Sequence, residues 1–408
     1  MEYIKNDQDE IKACVWTPLE NIEKSALAQI HNMIKHPRLF KHIAIMPDVH
    51  AGIGATIGSV IPLKNAIIPS AVGVDIACGM CAVKTNISLE SIRPHFSKIY
   101  DQILKRIPLG FSHRSDQQLN DVHNYVIPAL LHEIKLYEQD SRWNQNKIIN
   151  QLGTLGGGNH FIELQVDPDD NIWIMLHSGS RNIGNKIATT YIQLAKTVNS
   201  ARSLQVAPDD LEYFEADSAF GIQYIKHSRF ATDFAFNNRL IMVEIIKDIL
   251  NKILGPNQYE TMINIHHNYV NQEFHFNEMV WVHRKGATKV MSRITGIIPG
   301  SMGSASYIVQ GTDNADSFNS CSHGAGRIMS RTSAKGKFDR KKKIFKTDGQ
   351  LSIDDFKNDM QNIFTNTVDR EHIDEAPRAY KNIDEVMKNQ IDLVNIKTRL
   401  LPVLNVKG

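Results

Sequence analysis

The chain is organised around Ala71-Val72-Gly73-Val74-Asp75-Ile76-Ala77-Cys78-Gly79-Met80-Cys81. This stretch follows an apolar, strand-like run, and its glycines indicate a tight turn at the end of a strand. Asp75 and Cys78 are three residues apart, so such a turn can bring a carboxylate and a thiolate together. These two donors suit a borderline metal such as Mn²⁺, Zn²⁺ or Fe²⁺. The alternative is a buried structural cysteine beside a turn-forming aspartate.

The length and composition are those of a globular protein with a large core. The chain has 408 residues, of which 42% are hydrophobic and 22% charged. Its formal net charge is only +2, so any polyanion must be held by a local patch. We find no apolar run of the ~18 residues that a membrane span needs, and no secretory signal. Four cysteines do not make a disulfide framework, so we expect a reducing, cytoplasmic setting.

A second polar motif, Met46-Pro47-Asp48-Val49-His50, follows an apolar strand and leads into a glycine-rich stretch at 51–58. Closely spaced glycines predict tight turns or a close approach of the backbone to another group. Asp48 and His50 alternate like residues on one strand face. We interpret them as a pair that supports a metal ligand, with a simple polar turn as the alternative.

Two further glycine-bearing segments each present a histidine. The stretch 152–164 contains Gly156, Gly157 and Gly158 before Asn159-His160, and a strand is predicted to begin at Phe161. The apolar strand 172–176 then leads to His177-Ser178-Gly179-Ser180-Arg181. A histidine at a strand end, followed by small residues and an arginine, is typical of a ligand beside an anion pocket. A structural role for His177 is the alternative.

Residues 185–255 are mostly helical by their apolar spacing, and we interpret them as a helical insertion. The next strand-like run carries His266 and His267. Neighbouring strand residues face opposite sides, so only one of the two can point into a given site.

The last two loops combine glycines with chemistry-bearing residues. Residues 297–306 form a strand, a tight loop and a strand, and the backbone N–H groups of that loop can cradle a phosphate. In Ser320-Cys321-Ser322-His323-Gly324-Ala325-Gly326, His323 is a candidate nucleophile or acid–base group for phosphorus chemistry. Cys321 is a second candidate nucleophile, with His323 as its base. A basic run, Lys335-Gly336-Lys337 with Arg340-Lys341-Lys342-Lys343, can grip a phosphate backbone or form a solvated surface.

Five candidate ligands come from separate segments and include one oxygen, one sulfur and three imidazoles: Asp75, Cys78, His160, His177 and His267. Five such ligands would crowd a single ion. Two ions that share Cys78 as a bridging ligand account better for the number of donors. Two divalent ions close together suit in-line phosphoryl or nucleotidyl transfer. The residue types therefore indicate a metal-dependent enzyme that acts on phosphate esters.

The chain also closely resembles the RtcB family of RNA-splicing ligases. The resemblance covers nearly the whole chain in the family's order, through residues 46–50, 72–79, 156–163, 177–181, 266–268, 299–303, 320–327 and 406–408. It implies an α+β fold, with one compact RtcB-type domain over 1–408, a mixed or antiparallel sheet core, flanking helices and the helical insertion at about 185–255.

The resemblance also implies a reaction. The family joins an RNA 3′-phosphate or 2′,3′-cyclic phosphate end to a 5′-hydroxyl end, using GTP and two Mn²⁺ ions. By motif match, His323 would take GMP through a phosphoramidate bond and pass it to the RNA 3′-phosphate, giving an RNA-3′-pp-5′-G intermediate. The expected role is RNA repair or tRNA splicing, and an archease-like activator is a candidate partner.

Site residues follow from the same resemblance. One metal would be held by Asp75, Cys78 and His160, and the other by Cys78, His177 and His267. The family's guanylate-binding positions fall on Asn159, His160, Phe161, Ile162, Glu163, His267, Asn268, Pro299, Gly300, Ser301, Met302, Ser306, His323, Gly324, Ala325, Gly326 and Lys407. The Glu163 carboxylate suits recognition of the guanine N–H groups, because it accepts hydrogen bonds from paired donors.

Three other interpretations are open at this point. A two-metal phosphodiesterase or nuclease would cut RNA without a covalent nucleotide intermediate. A second would make Cys321 the covalent residue. A non-catalytic RNA-binding or metal-binding regulator would bind RNA without consuming GTP.

Overall fold

The computed structural model describes residues 1–143, 147–201, 207–339 and 344–408. Its strands form two large sheets and three two-stranded sheets. Residues 340–343 of the basic run lie outside the described residues, whereas Lys335, at its start, pairs with Asp374 at 3.2 Å. The strands within them are β1 (Glu2–Lys5), β2 (Ile11–Val15), β3 (Ile43–His50), β4 (Ile57–Leu63), β5 (Ala66–Ile67), β6 (Gly79–Ser88), β7 (Phe161–Val166), β8 (Asn171–Ser178), β9 (Phe214–Glu215), β10 (Ile263–His266), β11 (Asn268–His275), β12 (Glu278–Lys285), β13 (Ala287–Lys289), β14 (Thr295–Ile298), β15 (Ser306–Gly311), β16 (Ser320–Ser322), β17 (Phe338–Asp339), β18 (Ile344–Phe345) and β19 (Val394–Lys407).

Helices flank these sheets. Those in the described residues are α1 (Lys24–Met33), α2 (Leu89–Ile92), α3 (Phe96–Arg106), α4 (Leu119–His123), α5 (Pro128–Gln139), α6 (Arg181–Ser200), α7 (Ala219–Leu254), α8 (Arg331–Lys335), α9 (Ile353–Asp359) and α10 (Ile383–Lys388). Across the part of the chain that the structure describes, no helix combines the length and the apolarity needed to cross a membrane.

One large sheet has the strand order β1-β2-β3-β4-β12-β11, and the other has the order β10-β6-β8-β7-β19-β15-β14. In the first sheet, β2 and β3 are parallel and the other neighbours are antiparallel. All neighbours in the second sheet are antiparallel. The edge strands β10 and β14 of the second sheet also contact each other, so that sheet curls strongly. The predicted α+β class with mixed and antiparallel sheets is confirmed.

The strand register brings the candidate metal ligands together at one end of the second sheet. Gly79, the first residue of β6, pairs with Ser178 at the end of β8 and with His266 at the end of β10. Phe161, the first residue of β7, pairs with His177. Residues that flank these strand ends are therefore neighbours in space. His267 is the single residue between β10 and β11, so it also joins the two large sheets.

The long helix α7 is packed into the same core as the second sheet. Its N-cap is Ser218, whose side chain accepts a hydrogen bond from the Gly221 N–H, and it ends before Gly255, which has a φ of 89°. The predicted apolar stripe is buried in the largest hydrophobic cluster, as Val243, Ile246 and neighbouring side chains show. The division of the chain into one domain with an insertion at 185–255 stays a prediction.

A buried ion network connects β11, β12, β13 and the start of β16. The Glu273 carboxylate contacts the guanidinium of Arg284 at 2.6 Å and the Lys289 ammonium at 3.1 Å. Arg284 is fully buried and also donates to the Phe318 carbonyl and the Ser320 hydroxyl, both at 2.9 Å. Burial alone would raise the pKa of Glu273, but the charge and hydrogen bonds of Arg284 outweigh it and hold this pKa below its usual value.

We expect Glu273→Gln to lower the free energy of unfolding by about 3–5 kcal/mol at pH 7, because it leaves the buried Arg284 without its counter-charge. A depressed carboxyl pKa contributes stability above the unfolded value of about 4.3, and this contribution is lost as the pH falls through the folded value. The difference between variant and wild type should therefore shrink in strong acid. Urea denaturation at pH 7 and at pH 3 measures both effects.

The matched control for this prediction is Glu278→Gln. Glu278 pairs with Lys64 at the surface, where the two side chains are 48% and 53% exposed. Exposed pairs contribute about 0–1 kcal/mol, so this variant should stay close to the wild type. Equal losses in both variants would contradict the assignment of stability to the buried network.

Candidate active site and metal centre

The sulfur of Cys78 lies at the centre of a cluster of possible metal ligands. It is 3.1 Å from Nε2 of His177 and 3.5 Å from Nε2 of His160. Nε2 of His160 is 3.2 Å from an oxygen of Asp75, and Nε2 of His177 is 3.3 Å from Nε2 of His267. The donors form two groups of three, Asp75 with Cys78 and His160, and Cys78 with His177 and His267. All five predicted ligands therefore come together, and Cys78 belongs to both groups.

The turn between Asp75 and Cys78 is held in a strained conformation. Ala77 has a φ of 59°, a left-handed value that L residues rarely adopt. Its N–H donates to the Asn268 carbonyl at 2.6 Å, and its own carbonyl accepts from the buried guanidinium of Arg239 at 3.1 Å. The Asn268 side chain donates to the Asp75 carbonyl at 3.2 Å. Contacts from distant segments thus fix the position of both ligands.

The two adjacent histidines point in different directions, as the alternation of a strand predicts. His267 faces Cys78 and His177, whereas Nδ1 of His266 accepts from the Arg239 guanidinium at 3.0 Å. The His267 N–H also donates to the Cys78 carbonyl at 2.9 Å, which ties the two ligand segments together.

The chemistry of these donors fits divalent ions. Nδ1 of His177 donates to the Asn159 carbonyl at 3.1 Å, so the lone pair on Nε2 points into the cluster, as a metal ligand requires. Burial lowers the pKa of His177 and of His267 well below the usual value, so both rings are neutral near pH 7. Burial raises the pKa of the Cys78 thiol, and a bound metal would displace its proton. One carboxylate, one sulfur and three imidazoles match the ligand types of Mn²⁺, Zn²⁺ and Fe²⁺.

His323 lies beside this cluster and is oriented by Asp48. One oxygen of the fully buried Asp48 carboxylate accepts from the His323 backbone N–H at 3.1 Å and from Nδ1–H at 2.6 Å. Nε2 of His323 is therefore left with its lone pair free. The ring centroids of His323 and His267 are 4.8 Å apart.

Asp48 and His50 were predicted to support a metal ligand, and this prediction is wrong, because the residue that Asp48 supports is His323. Asp48 contacts His323, and Nδ1 of His50 contacts the carbonyl of Asp48 itself at 3.0 Å. The close approach depends on Gly326, which has a φ of 73° and whose missing Cβ would collide with the Asp48 carbonyl. Sequence spacing could not indicate this pairing, because 275 residues separate the partners.

A cavity of about 230 Å³ opens from His323 on one side of the cluster. Predicted guanylate-binding residues make up much of its wall: Asn159, Phe161, Pro299, Gly300, Ser301, Met302, His323, Gly324, Ala325, Gly326 and Lys407. His177 also lines it, and so do four residues that the sequence analysis did not single out, Arg327, Arg331, Glu375 and Tyr380.

The other predicted guanylate-binding residues lie elsewhere. Ile162 is fully buried in the largest hydrophobic cluster. The Glu163 carboxylate accepts from the Gln165 amide at 2.5 Å and from the Asn405 amide at 2.7 Å, and burial raises its pKa to about 7. Ser306 lies behind the cavity wall, where its hydroxyl accepts from Gln165 at 3.0 Å. His160 and His267 belong to the metal cluster, and Asn268 supports it.

The buried Glu375 is the most connected of the residues that sequence analysis missed. Its carboxylate pairs with Lys407 at 2.9 Å and with Arg331, and it accepts from the Tyr380 hydroxyl at 2.7 Å. Burial opposes its ionisation, but the charges of Lys407 and Arg331 outweigh this and hold the pKa of Glu375 below its usual value. Nothing in the local sequence around Glu375 distinguishes it from a surface glutamate.

Cys321 and Arg181 do not take the roles considered for them from the sequence. The Cys321 side chain is fully buried in a hydrophobic cluster, lines neither cavity beside His323, and burial raises its pKa. Arg181 donates to the Gly110 carbonyl at 2.7 Å and to the Thr154 hydroxyl at 3.0 Å, so it holds two loops together.

A second cavity, of about 510 Å³, also reaches His323 and the cluster, along a largely different set of residues. Asp75, Cys78 and His267 contribute to its wall, together with Ile53 and Lys285. The cluster and His323 are thus accessible from two directions, a geometry that allows two substrates to meet at one histidine.

Comparisons with known proteins identify the family. A family model described as tRNA-splicing ligase RtcB matches residues 29–408. The chain is 42% identical to the RNA-splicing ligase RtcB of Escherichia coli (strain K12), with 97% of each chain covered. It is 29% identical to the tRNA-splicing ligase RtcB of Nanoarchaeum equitans, over 95% of this chain and 92% of that one. The chain therefore belongs to the RtcB family of tRNA-splicing ligases.

Proposed function

We propose that this enzyme is an RNA ligase that joins RNA 3′-phosphate or 2′,3′-cyclic phosphate ends to 5′-hydroxyl ends, with GTP as co-substrate and two Mn²⁺ ions. Family membership supports the RNA ligase activity. The use of GTP and of two ions is supported by one observation: His323 is paired with Asp48 beside two groups of metal donors that have Cys78 in common. A histidine held at Nδ1, with Nε2 free, is suited to nucleophilic attack on phosphorus.

The first step captures the nucleotide. The Nε2 lone pair of His323 attacks the α-phosphorus of GTP, the bond from that phosphorus to the bridging oxygen breaks, and pyrophosphate leaves. Nδ1 keeps its proton, so the ring becomes cationic as the phosphoramidate bond forms. The carboxylate of Asp48 accepts from Nδ1–H and stabilises this cation.

Two further transfers complete the reaction. An oxygen of the RNA 3′-phosphate attacks the phosphorus of the bound GMP, the P–N bond breaks, and its electron pair returns to Nε2 of His323. The 5′-hydroxyl oxygen of the second RNA then attacks the 3′-phosphorus, the bond from that phosphorus to the bridging oxygen breaks, and GMP leaves with the electron pair and the hydroxyl proton. A cyclic phosphate is opened beforehand, when a water oxygen attacks its phosphorus, the bond to O2′ breaks, and O2′ takes the proton from water.

One set of residues would bind the metal ions and another would bind the nucleotide. Asp75, Cys78 and His160 would hold one ion, and Cys78, His177 and His267 the other. When bound, such ions supply Lewis-acid stabilisation of the charge that develops on phosphate oxygens. The first cavity would take guanylate, with Lys407 and the Gly-rich backbone of residues 324–326 against its phosphates and base.

The wider setting belongs to the same proposal. We treat residues 1–408 as one ligase domain, acting in RNA repair or tRNA splicing, with an archease-like activator as a candidate partner. All four cysteines are free and buried, which suits a reducing compartment such as the cytoplasm.

Label transfer tests the proposal directly. The chain is incubated with Mn²⁺ and GTP labelled at the α-phosphate, denatured, and assayed for acid-labile, alkali-stable label, as a phosphoramidate requires. Cys321→Ala serves as the matched control and should keep the label. Absence of label on folded, metal-loaded protein would contradict the ligase mechanism, and cleavage of RNA under the same conditions would favour a two-metal phosphodiesterase.

We expect Asp48→Asn to slow nucleotide capture about a hundredfold, because the amide cannot stabilise the cationic ring of His323 as a carboxylate does. The affinity for GTP should change little, since Asp48 does not line the cavity assigned to guanylate. Single-turnover label transfer over a series of GTP concentrations separates the rate from the affinity. A wild-type rate in Asp48→Asn would show that the carboxylate has no part in the first step.

A further inference from the structure

The loop at residues 51–54 is held rigidly although it displays an apolar side chain to solvent. The Ile53 side chain is 69% exposed. The Gln29 amide makes a pair of hydrogen bonds with Gly52, donating to its carbonyl at 2.6 Å and accepting from its N–H at 3.0 Å. The Glu23 carboxylate accepts from the N–H of Ala51 at 2.7 Å. A loop fixed in this way presents Ile53 in a preformed position.

A buried lysine holds the same loop from the opposite side. Lys285 is 6% exposed, and its ammonium donates to the carbonyls of Ile53, at 2.5 Å, and Ser70, at 3.1 Å. Burial of an ammonium is unfavourable, and here it lowers the pKa of Lys285 to about 7. Gly54 has a φ of 73° and has no room for a Cβ, so the loop allows little variation in its path.

Ile53 lies on the wall of the second cavity, which also includes Asp75, Cys78 and His323. Val74, which is 41% exposed, lines the same cavity and adds a second apolar contact. This cavity shares only Ile57, Asn159 and His323 with the guanylate cavity. A ligand in it reaches His323 without displacing a nucleotide from the other side.

We propose that Ile53 packs against the terminal nucleoside of the RNA strand whose 3′-phosphate receives GMP. This inference rests on the proposed function, which requires an RNA end and a guanylate to meet at His323. The second cavity supplies the separate approach, and a rigid, exposed isoleucine supplies apolar contact with a ribose or base without an ordering penalty. Such a contact is independent of base identity, so it suits an enzyme that recognises an end and not a sequence.

The test compares Ile53→Ser with Ile391→Ser, since Ile391 is 73% exposed and lines neither cavity. The substrate is an RNA with phosphates at both its 3′ and 5′ ends, so the reaction stops at RNA-3′-pp-5′-G. We expect Ile53→Ser to raise the KM for this RNA about tenfold, the effect of exposing about two methylene groups. GTP label transfer without RNA should be unaffected in both variants, and Ile391→Ser should match the wild type throughout.

A second readout does not depend on turnover. Ile53→Trp should show quenching of the added tryptophan fluorescence when the 3′-phosphate RNA is titrated in, and Ile391→Trp should not. An unchanged KM in Ile53→Ser, together with no quenching in Ile53→Trp, would overturn the inference while leaving the ligase function intact. Failure of the wild type to take label from GTP would instead overturn the proposed function and this inference with it.

Discussion

Replacing His323 with alanine will abolish transfer of label from α-labelled GTP to the chain, because it removes the nucleophilic Nε2 that Asp48 holds in position. Cys321, the other candidate nucleophile in the sequence, cannot substitute, because its thiol is fully buried in a hydrophobic cluster and lines neither cavity. Ligation of RNA with a 3′-phosphate should fall to the detection limit for the same reason. Gel detection of labelled protein and of joined RNA measures both losses.

The same variant offers an internal control. Preformed RNA-3′-pp-5′-G no longer needs a protein nucleophile, so His323→Ala should still join it to a 5′-hydroxyl RNA. This result would show that the variant is folded and retains its metal cluster. Two results would contradict the role assigned to His323. One is transfer of label from GTP to the His323→Ala chain, and the other is a variant that still takes the label but cannot join preformed RNA-3′-pp-5′-G.

The second large effect is expected for Cys78→Ala, which removes the one ligand common to both groups of metal donors. Loss of Lewis-acid stabilisation amounts to several kcal/mol in the transition state, or about a thousandfold or more in rate. Nucleotide capture and the joining of preformed RNA-3′-pp-5′-G should both fall. Elemental analysis of the purified variant should show that Mn²⁺ is bound at neither position after dialysis.

Cys81→Ala is the matched control for Cys78→Ala. Cys81 is equally buried and lies three residues along the same segment, but its thiol belongs to the hydrophobic core and to neither group of donors. It should keep its metal content and its activity. A variant of Cys78 that retained one ion at full affinity would show that the two groups do not share this sulfur.

The metal cluster could be predicted from the sequence because its ligands stand in motifs at turns and strand ends. Asp75 and Cys78 belong to one turn, and His160 and His177 lie where the start of β7 pairs with the end of β8. A short antiparallel connection makes such strand ends neighbours, so motifs at those ends converge.

The partners of His323 and Lys407 could not be predicted, because they depend on packing between distant segments. Asp48 is 275 residues from His323, and Glu375 reaches Lys407 from a short turn with no motif of its own. A buried carboxylate has no sequence pattern that separates it from an exposed one, and only its tertiary contacts reveal it.

Helix α7 shows a second limit of sequence reasoning. Its apolar stripe was predicted, but polar residues on a helix are ordinarily assigned to solvent. Arg239 and Asn238 are instead fully buried, where they donate to the carbonyls of Ser178, at 2.9 Å, and Gly179, at 3.2 Å. They satisfy the strand ends that carry the metal ligands, so the helix supports the centre directly.

The position of His267, between an edge strand of one large sheet and an edge strand of the other, has a mechanical consequence. An ion held jointly by His267 and by Cys78 and His177 would cross-link the two sheets at their only single-residue connection within the described chain. Metal loading would then stiffen the whole molecule and not only the reaction centre. An ion that binds the folded chain and not the unfolded one stabilises the fold by mass action, so chelation should lower the resistance of the whole molecule to heat.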